Sequence, residues 1–135
     1  MNDCIFCKIV KGEIPCYKIY EDEQVLAFLD IANDVVGHTL VIPKQHCTSL
    51  LDADEATMLA VAKAVQKVSL HYVHNCGFDG VNTFNCNGKE AQQSVFHLHV
   101  HVIPRKGGDG INIWRNQTQC NPTLQEVCDK LKLSN

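Results

Sequence analysis

The chain lacks the features that would tie it to a membrane or to a polyanion. No apolar run approaches the ~18–20 residues that span a bilayer. Met1-Asn2-Asp3-Cys4 is followed by neither the basic n-region nor the apolar stretch of a secretory leader. A basic excess is also missing: 12 Lys and Arg stand against 15 Asp and Glu, a formal net charge of -3 at pH 7. That balance excludes a broad cationic face for nucleic acid or anionic lipid, while leaving room for a mononucleotide held by local donors. Proline and glycine are too few, at 4 and 8, and too scattered for a low-complexity chain, and no internal repeat is visible. What remains is 135 residues, 45% of them hydrophobic, the size and apolar content of one domain with a proper core.

Cysteine, by contrast, is plentiful, with 8 residues. In a secreted chain that count would announce a disulfide framework. Without a leader the expectation is a reducing cytoplasm, where thiols act as small core residues, metal ligands or reactive groups.

The periodicity predicts an α+β fold. Ile5 to Val10 reads as a short N-terminal helix stopped by Gly12 and the Ile14-Pro15 step. Lys18 to Glu21, Gln24 to Asp30 and His38 to Ile42 read as strands, the third ended by Pro43. Asp52 and Glu55 have capping-box spacing before a long helix over Ala56 to Tyr72, whose Val61, Val65, Val68 and Tyr72 form one apolar stripe. Val81 to Asn85 and Val95 to Ile103 complete five strands, the last stopped by Pro104. A weaker helical pattern in Leu124, Val127, Cys128 and Leu131 follows a cap around Asn121 to Thr123. Five strands and one long helix predict an antiparallel sheet with the helix on one face.

The most informative run is Val95-Phe96-His97-Leu98-His99-Val100-His101-Val102-Ile103. Side chains alternate along a strand, so Leu98, Val100 and Val102 share the face toward the core and the three imidazoles share the other. At about 6.5–7 Å between like-facing neighbours, the imidazoles can gather around one phosphate-sized group or one metal ion. Two readings stand side by side: a tri-imidazole metal site, or a nucleophile flanked by phosphate-binding histidines.

Ser94 to Arg105, SVFHLHVHVIPR, resembles the signature of the histidine triad (HIT) family. The likeness continues through Phe28-Leu29-Asp30-Ile31, Gly37-His38-Thr39-Leu40-Val41-Ile42-Pro43-Lys44 and the opening Ile5-Phe6-Cys7-Lys8-Ile9, so order and spacing agree from about Asp3 to Arg105. The resemblance implies a HIT domain over residues 1–110, with residues 111–135 an extension that packs on the same domain or across a homodimer. It implies attack by His99 on the α-phosphorus of a nucleotide derivative, forming a nucleotidyl-histidine. The carbonyl of His97 would orient His99, while His101 and His38 would donate to the phosphate and Ser94 to the phosphate or leaving group. Asp30 would take the ribose hydroxyls, and Ile5, Phe6, Ile9, Phe28 and Ile31 would form the base slot. Cys86, Gln93 and Ser94 would line the phosphate end. The expected substrate is a purine phosphoramidate such as an AMP derivative, with dinucleoside polyphosphates second and a nucleotide-binding protein of little activity as the rival class. Two departures bear on this: Cys86 stands where many relatives have Asn or Gln, and Gln92 where Gly is usual. A side chain at Gln92 would crowd the site or send the loop along another path.

Cys4-Ile5-Phe6-Cys7 has the C-x-x-C spacing that lets two thiolates share a metal. Prokaryotic-type members of the family complete such a pair with the first triad histidine and one just after the Pro-Lys step, here His97 and His46. The resemblance thus implies a closed, structural zinc site of Cys4, Cys7, His46 and His97. His71 and His74 read as solvated residues on the last turns of the long helix. Cys16, Cys47, Cys76, Cys120 and Cys128 show no partner pattern and are expected as buried or free thiols, with Cys47, next to His46, the alternative metal ligand.

Overall fold

The computed structural model describes residues 3–114 and 121–134; Cys120 lies outside them. Helix α1 (Ile5–Val10) is followed by β1 (Lys18–Glu21), β2 (Val25–Leu29) and β3 (Thr39–Pro43). Helix α2 (Glu55–Asn75), β4 (Gly80–Phe84), a 3-10 turn at Lys89–Ala91, β5 (Val100–Arg105) and α3 (Leu124–Leu131) complete the order. The five strands form one sheet in the order β1-β2-β3-β5-β4, and every neighbouring pair is antiparallel. This is the predicted α+β architecture. Among the described residues, no helix is long and apolar enough to cross a membrane.

The alternation along each strand sorts the core into two layers. Val25, Ala27, Val41, Leu98 and Val102 point to one face, where Val61, Ala64, Val68 and Tyr72 of α2 cover them. Leu26, Phe28, Leu40 and Ile42 point to the other face and pack with Phe6 of α1. The helix stripe is therefore close to the predicted one, with Ala64 rather than Val65 at its buried centre.

Three expectations fail for physical reasons. Helix α2 is capped by Asp54, whose carboxylate accepts from the Thr57 N–H at 2.8 Å. Asp52 instead accepts from the backbone N–H groups of Thr48 and Ser49, bracing the preceding loop, so the predicted Asp52/Glu55 box does not form. The strand predicted from Val95 to Ile103 enters the sheet only at Val100. Upstream of it the Leu98 N–H donates to the Cys47 carbonyl at 2.9 Å, away from the ladder. At its other end β5 passes through Pro104 to Arg105, because β3 pairs no further than Val102 and leaves that end with a neighbour on one side only. Gly37, with φ +83°, packs against this proline; a Cβ there would meet Pro104 Cγ at 2.9 Å.

Candidate functional site

His99 is held at both ends of its residue. Its Nδ1–H donates to the His97 carbonyl at 2.8 Å, and its own carbonyl accepts from Asn85 Nδ2 at 2.7 Å. The ring stands edge-on to Phe6 of α1, with centroids 5.2 Å apart, and the residue is buried. With Nδ1 protonated, a neutral imidazole carries its lone pair on Nε2, the form that attacks an electrophile.

His101, the next like-facing residue, is hydrogen-bonded through Nδ1 to His38 Nε2 at 2.9 Å. His38 in turn donates from Nδ1 to Asp34 Oδ1 at 2.8 Å, and Asp30 Oδ2 lies 3.6 Å from its Nε2. Phe84 of β4 stacks on the His101 ring at 5.1 Å. Burial, reinforced by the neighbouring His99 and His38, pushes the His101 imidazole down to about 4, so it is neutral in the free protein. The bond to His38 pulls the Asp34 carboxyl below its ordinary range.

Beside these rings lies a largely apolar cavity of about 270 Å³. His99, His101 and Ser94 line it together with Asp30 and Ile31, which follow β2, and with Ile5, Phe6, Ile9 and Phe28. Gln93, Cys86 and His38 are not brought to this wall; His38 meets it only through its bond to His101. The Gln93 side chain is consumed as a brace, donating to the Thr48 and Val95 carbonyls and accepting from the Gly88 N–H. Gln92 does not line the cavity: it adopts a left-handed conformation at φ +69° and is exposed to solvent. The sequence reading missed Ile14, Pro15 and Cys16, which the turn after α1 folds onto the cavity, and Leu40 and Val95. It also missed Asn85 and Asp34, since neither spacing nor residue type distinguishes them from loop residues.

His97 faces a different way. Its Nε2–H donates to the Pro43 carbonyl at 2.8 Å, which leaves Nδ1 bare among Cys4, Cys7 and His46. Separations from His97 Nδ1 are 3.4 Å to Cys4 Sγ, 3.6 Å to Cys7 Sγ and 3.1 Å to His46 Nδ1, and Cys7 Sγ lies 3.3 Å from His46 Nδ1. Ligands of a tetrahedral zinc at ~2.0–2.3 Å stand roughly 3.3–3.8 Å apart; the three separations involving sulfur fall in this range, and the 3.1 Å between the two imidazole nitrogens lies just below it. A carbonyl on the far nitrogen of a ligating histidine is the usual second contact in metal sites. Burial pushes His97 down to about 4, keeping it in the neutral form a metal needs. A single metal shared by all three triad histidines is not built: His97 faces the cysteines, His101 faces His38, and His99 belongs to neither group.

Comparison with known proteins agrees with this geometry. Residues 11–108 match the HIT domain. The protein hit of Bacillus subtilis is 48% identical over 116 residues, covering 84% of this chain and 80% of that one. The adenosine 5′-monophosphoramidase of Schizosaccharomyces pombe is 43% identical over 102 residues, covering 76% of this chain and 74% of that one. A zinc-bound histidine triad protein of Mycobacterium smegmatis superposes with a TM-score of 0.78 at 41% identity, over 87% of this chain and 85% of that one. Triad, sheet and sequence likeness all lead to one conclusion: this chain belongs to the histidine triad (HIT) family.

Proposed function

We propose that the chain hydrolyses a nucleoside monophosphate derivative, a purine phosphoramidate foremost, through a covalent nucleotidyl-His99. The observation that carries this reading is the His99 tautomer: Nδ1–H is spent on the His97 carbonyl, and the residue lines the cavity with its other nitrogen bare. In the first step Nε2 forms a bond to the α-phosphorus while the P–N bond breaks, and the amine departs with a proton drawn from solvent. In the second, water attacks the same phosphorus and gives up a proton to solvent, the P–Nε2 bond breaks, and the nucleoside monophosphate leaves. Splitting one displacement into two lowers each barrier. His101, backed by its bond to His38, and Ser94 bind the phosphate oxygens, placing donors where negative charge develops. Asp30 accepts from the ribose hydroxyls through Oδ2; its Oδ1 already accepts from the Ala32 N–H at 2.8 Å. The base lies in the apolar slot of Ile5, Phe6, Ile9, Phe28 and Ile31, and the phosphoramidase activity of the fission-yeast relative supports the choice of leaving group.

Zinc on Cys4, Cys7, His46 and His97 completes the proposal; bound there it supplies a closed structural tie rather than an activated water. Residues 1–110 form the catalytic domain. The extension carries α3, whose Leu124 and Leu131 are 87% and 74% exposed, and in this reading it packs across a homodimer in the cytoplasm.

Turnover of an adenosine phosphoramidate and of a dinucleoside polyphosphate, followed with intact-protein mass spectrometry, tests the reaction. Native protein is expected to prefer the phosphoramidate, and His99→Ala to lower turnover at least a thousandfold, on the scale of losing a covalent nucleophile. Nucleotide binding with no turnover of either substrate would replace this reading with that of a nucleotide-binding protein.

A further inference from the structure

The triad's third histidine is linked to solvent-facing Asp34 by a short chain of hydrogen bonds that the catalytic steps above leave unused. Asp34 sits in the loop between β2 and β3, four residues before His38, with its side chain 56% exposed while that of His38 is 9% exposed. The loop is set for this contact: the Asp30 N–H donates to the His38 carbonyl at 2.9 Å, the His38 N–H to the Val35 carbonyl at 3.1 Å, and the Val35 N–H to Asp34 Oδ1 at 3.0 Å. An ionised carboxylate only accepts, so the 2.8 Å contact requires the proton of His38 on Nδ1. With a single proton on the His38 ring, Nε2 is bare, and the 2.9 Å bond to His101 Nδ1 then places the His101 proton on Nδ1 as well. One carboxylate thereby dictates two tautomers.

We propose that Asp34 is a positioning residue that, through His38, orders the protons of both histidines and prepares the pair to take up one proton when an anion enters. In the free protein His101 presents a bare Nε2 to the cavity. A single added proton changes this without moving a heavy atom: His38 becomes doubly protonated between Asp34 and His101, the His101 proton passes from Nδ1 to Nε2, and Nε2–H becomes a donor to phosphate. The positive charge rests on the ring beside the Asp34 carboxylate, where a charge-assisted bond stabilises it.

The charged and titratable groups facing the pair are Asp34 from the loop, Asp30 from the end of β2 and His99 from the residues leading into β5. From β4 the neutral Phe84 stacks on His101. The two carboxylates favour the added proton and His99 opposes it, as does burial, which keeps His101 neutral until an anion supplies compensating charge. This inference rests on the phosphate-binding role of the site given above, but the tautomers it requires exist without any ligand.

The experiment is nitrogen-15 NMR of histidine-labelled protein, with calorimetric binding of adenosine 5′-sulfate in buffers of different ionisation enthalpy. That probe keeps a single charge that does not titrate near neutral pH, so proton uptake reports the protein. Native protein is expected to show His38 and His101 as Nδ1–H tautomers when free, and to take up more than half a proton on binding at pH 7. Asp34→Asn is expected to lose the uniform Nδ1–H signature of His38, to cut the proton uptake by at least half and to bind about tenfold more weakly. Asp34→Glu is expected to restore part of each. Native tautomers and native proton uptake in Asp34→Asn would overturn the inference, as would an Nε2–H tautomer of His38 in the native protein. If the native protein shows the predicted tautomers but binds no nucleotide anion, the nucleotide reading fails and the proton ordering by Asp34 stands.

Discussion

His97 and His99 each spend one ring nitrogen on a backbone carbonyl, and the choice of nitrogen decides what the other can do. His97 gives Nε2–H to Pro43 and turns Nδ1 to the cysteines, whereas His99 gives Nδ1–H to His97 and leaves Nε2 without a protein partner among the described residues. Two residues apart and alike in type, they are assigned different work by the carbonyl each finds. His101 gives the site a pH signature. Its pKa in the fold is depressed by burial to about 4, against an ordinary 6.5, so between those values the unfolded chain binds the proton first. Acid therefore favours unfolding: the contribution is complete above pH 6.5 and is lost as pH falls toward 4. It is expected to be on the order of 2 kcal/mol. Urea midpoints across this range measure it, with His101→Gln giving a shallower slope than the native chain; equal slopes would assign the effect to another group.

At the scale of elements, the ends of helices and loops carry what pattern reading places less well. Asp52, the cap expected from its spacing to Glu55, braces the preceding loop instead, and it is Asp54 that caps α2, a choice made by the loop geometry. Asp54→Ala is expected to cost about 1 kcal/mol through loss of the cap. Far-ultraviolet circular dichroism during urea unfolding checks this, and an unchanged midpoint would remove Asp54 from the role. The loop before the triad offers the opposite change. Gln92 holds φ +69° with its side chain in solvent, a conformation that glycine adopts without a Cβ clash. Gln92→Gly is expected to raise stability by about 0.5–1 kcal/mol with turnover altered by less than about threefold. Thermal unfolding together with the phosphoramidase assay would show it, and a loss of stability would mean that the Gln92 side chain makes a contact of its own.

Across the whole molecule, the proposed metal site joins parts of the chain that are far apart in sequence: the start of α1, the loop after β3 and the entry to β5. Phe6, one position before Cys7, packs against Phe28, His97 and His99, so anything that frees α1 also loosens the cavity wall. Chelation is accordingly expected to lower stability by several kcal/mol, on the order of 3 or more, and to expose the segment around residues 4–16 to protease. Catalysis at low temperature should fall less. Metal analysis of the purified protein and melting with and without chelator read this directly; equal melting temperatures for metal-loaded and stripped protein would refute a structural role. Cys4→Ser should reproduce the stripped state without chelator.

The sequence by itself determined the elements and their faces. The alternation of Val100 and Val102 with His101 inside β5, and the helical stripe of α2, follow from periods of two and 3.6 residues that the chain cannot avoid displaying, whereas His97 and His99, ahead of β5, take their directions from the fold. The triad motif likewise announced the family, because local order and spacing carry it. Tertiary structure decided how the nitrogens are used, since a tautomer depends on a carbonyl or carboxylate supplied from elsewhere in the chain: Pro43 for His97, Asp34 for His38 and, through it, His101. It also decided that Gln93 is a brace, that Cys16 lines the cavity, and that Val95 to His99 leave the ladder before β5 begins. In each case the partner lies across the fold, and hydrogen bonding at such distances leaves no periodic trace in sequence.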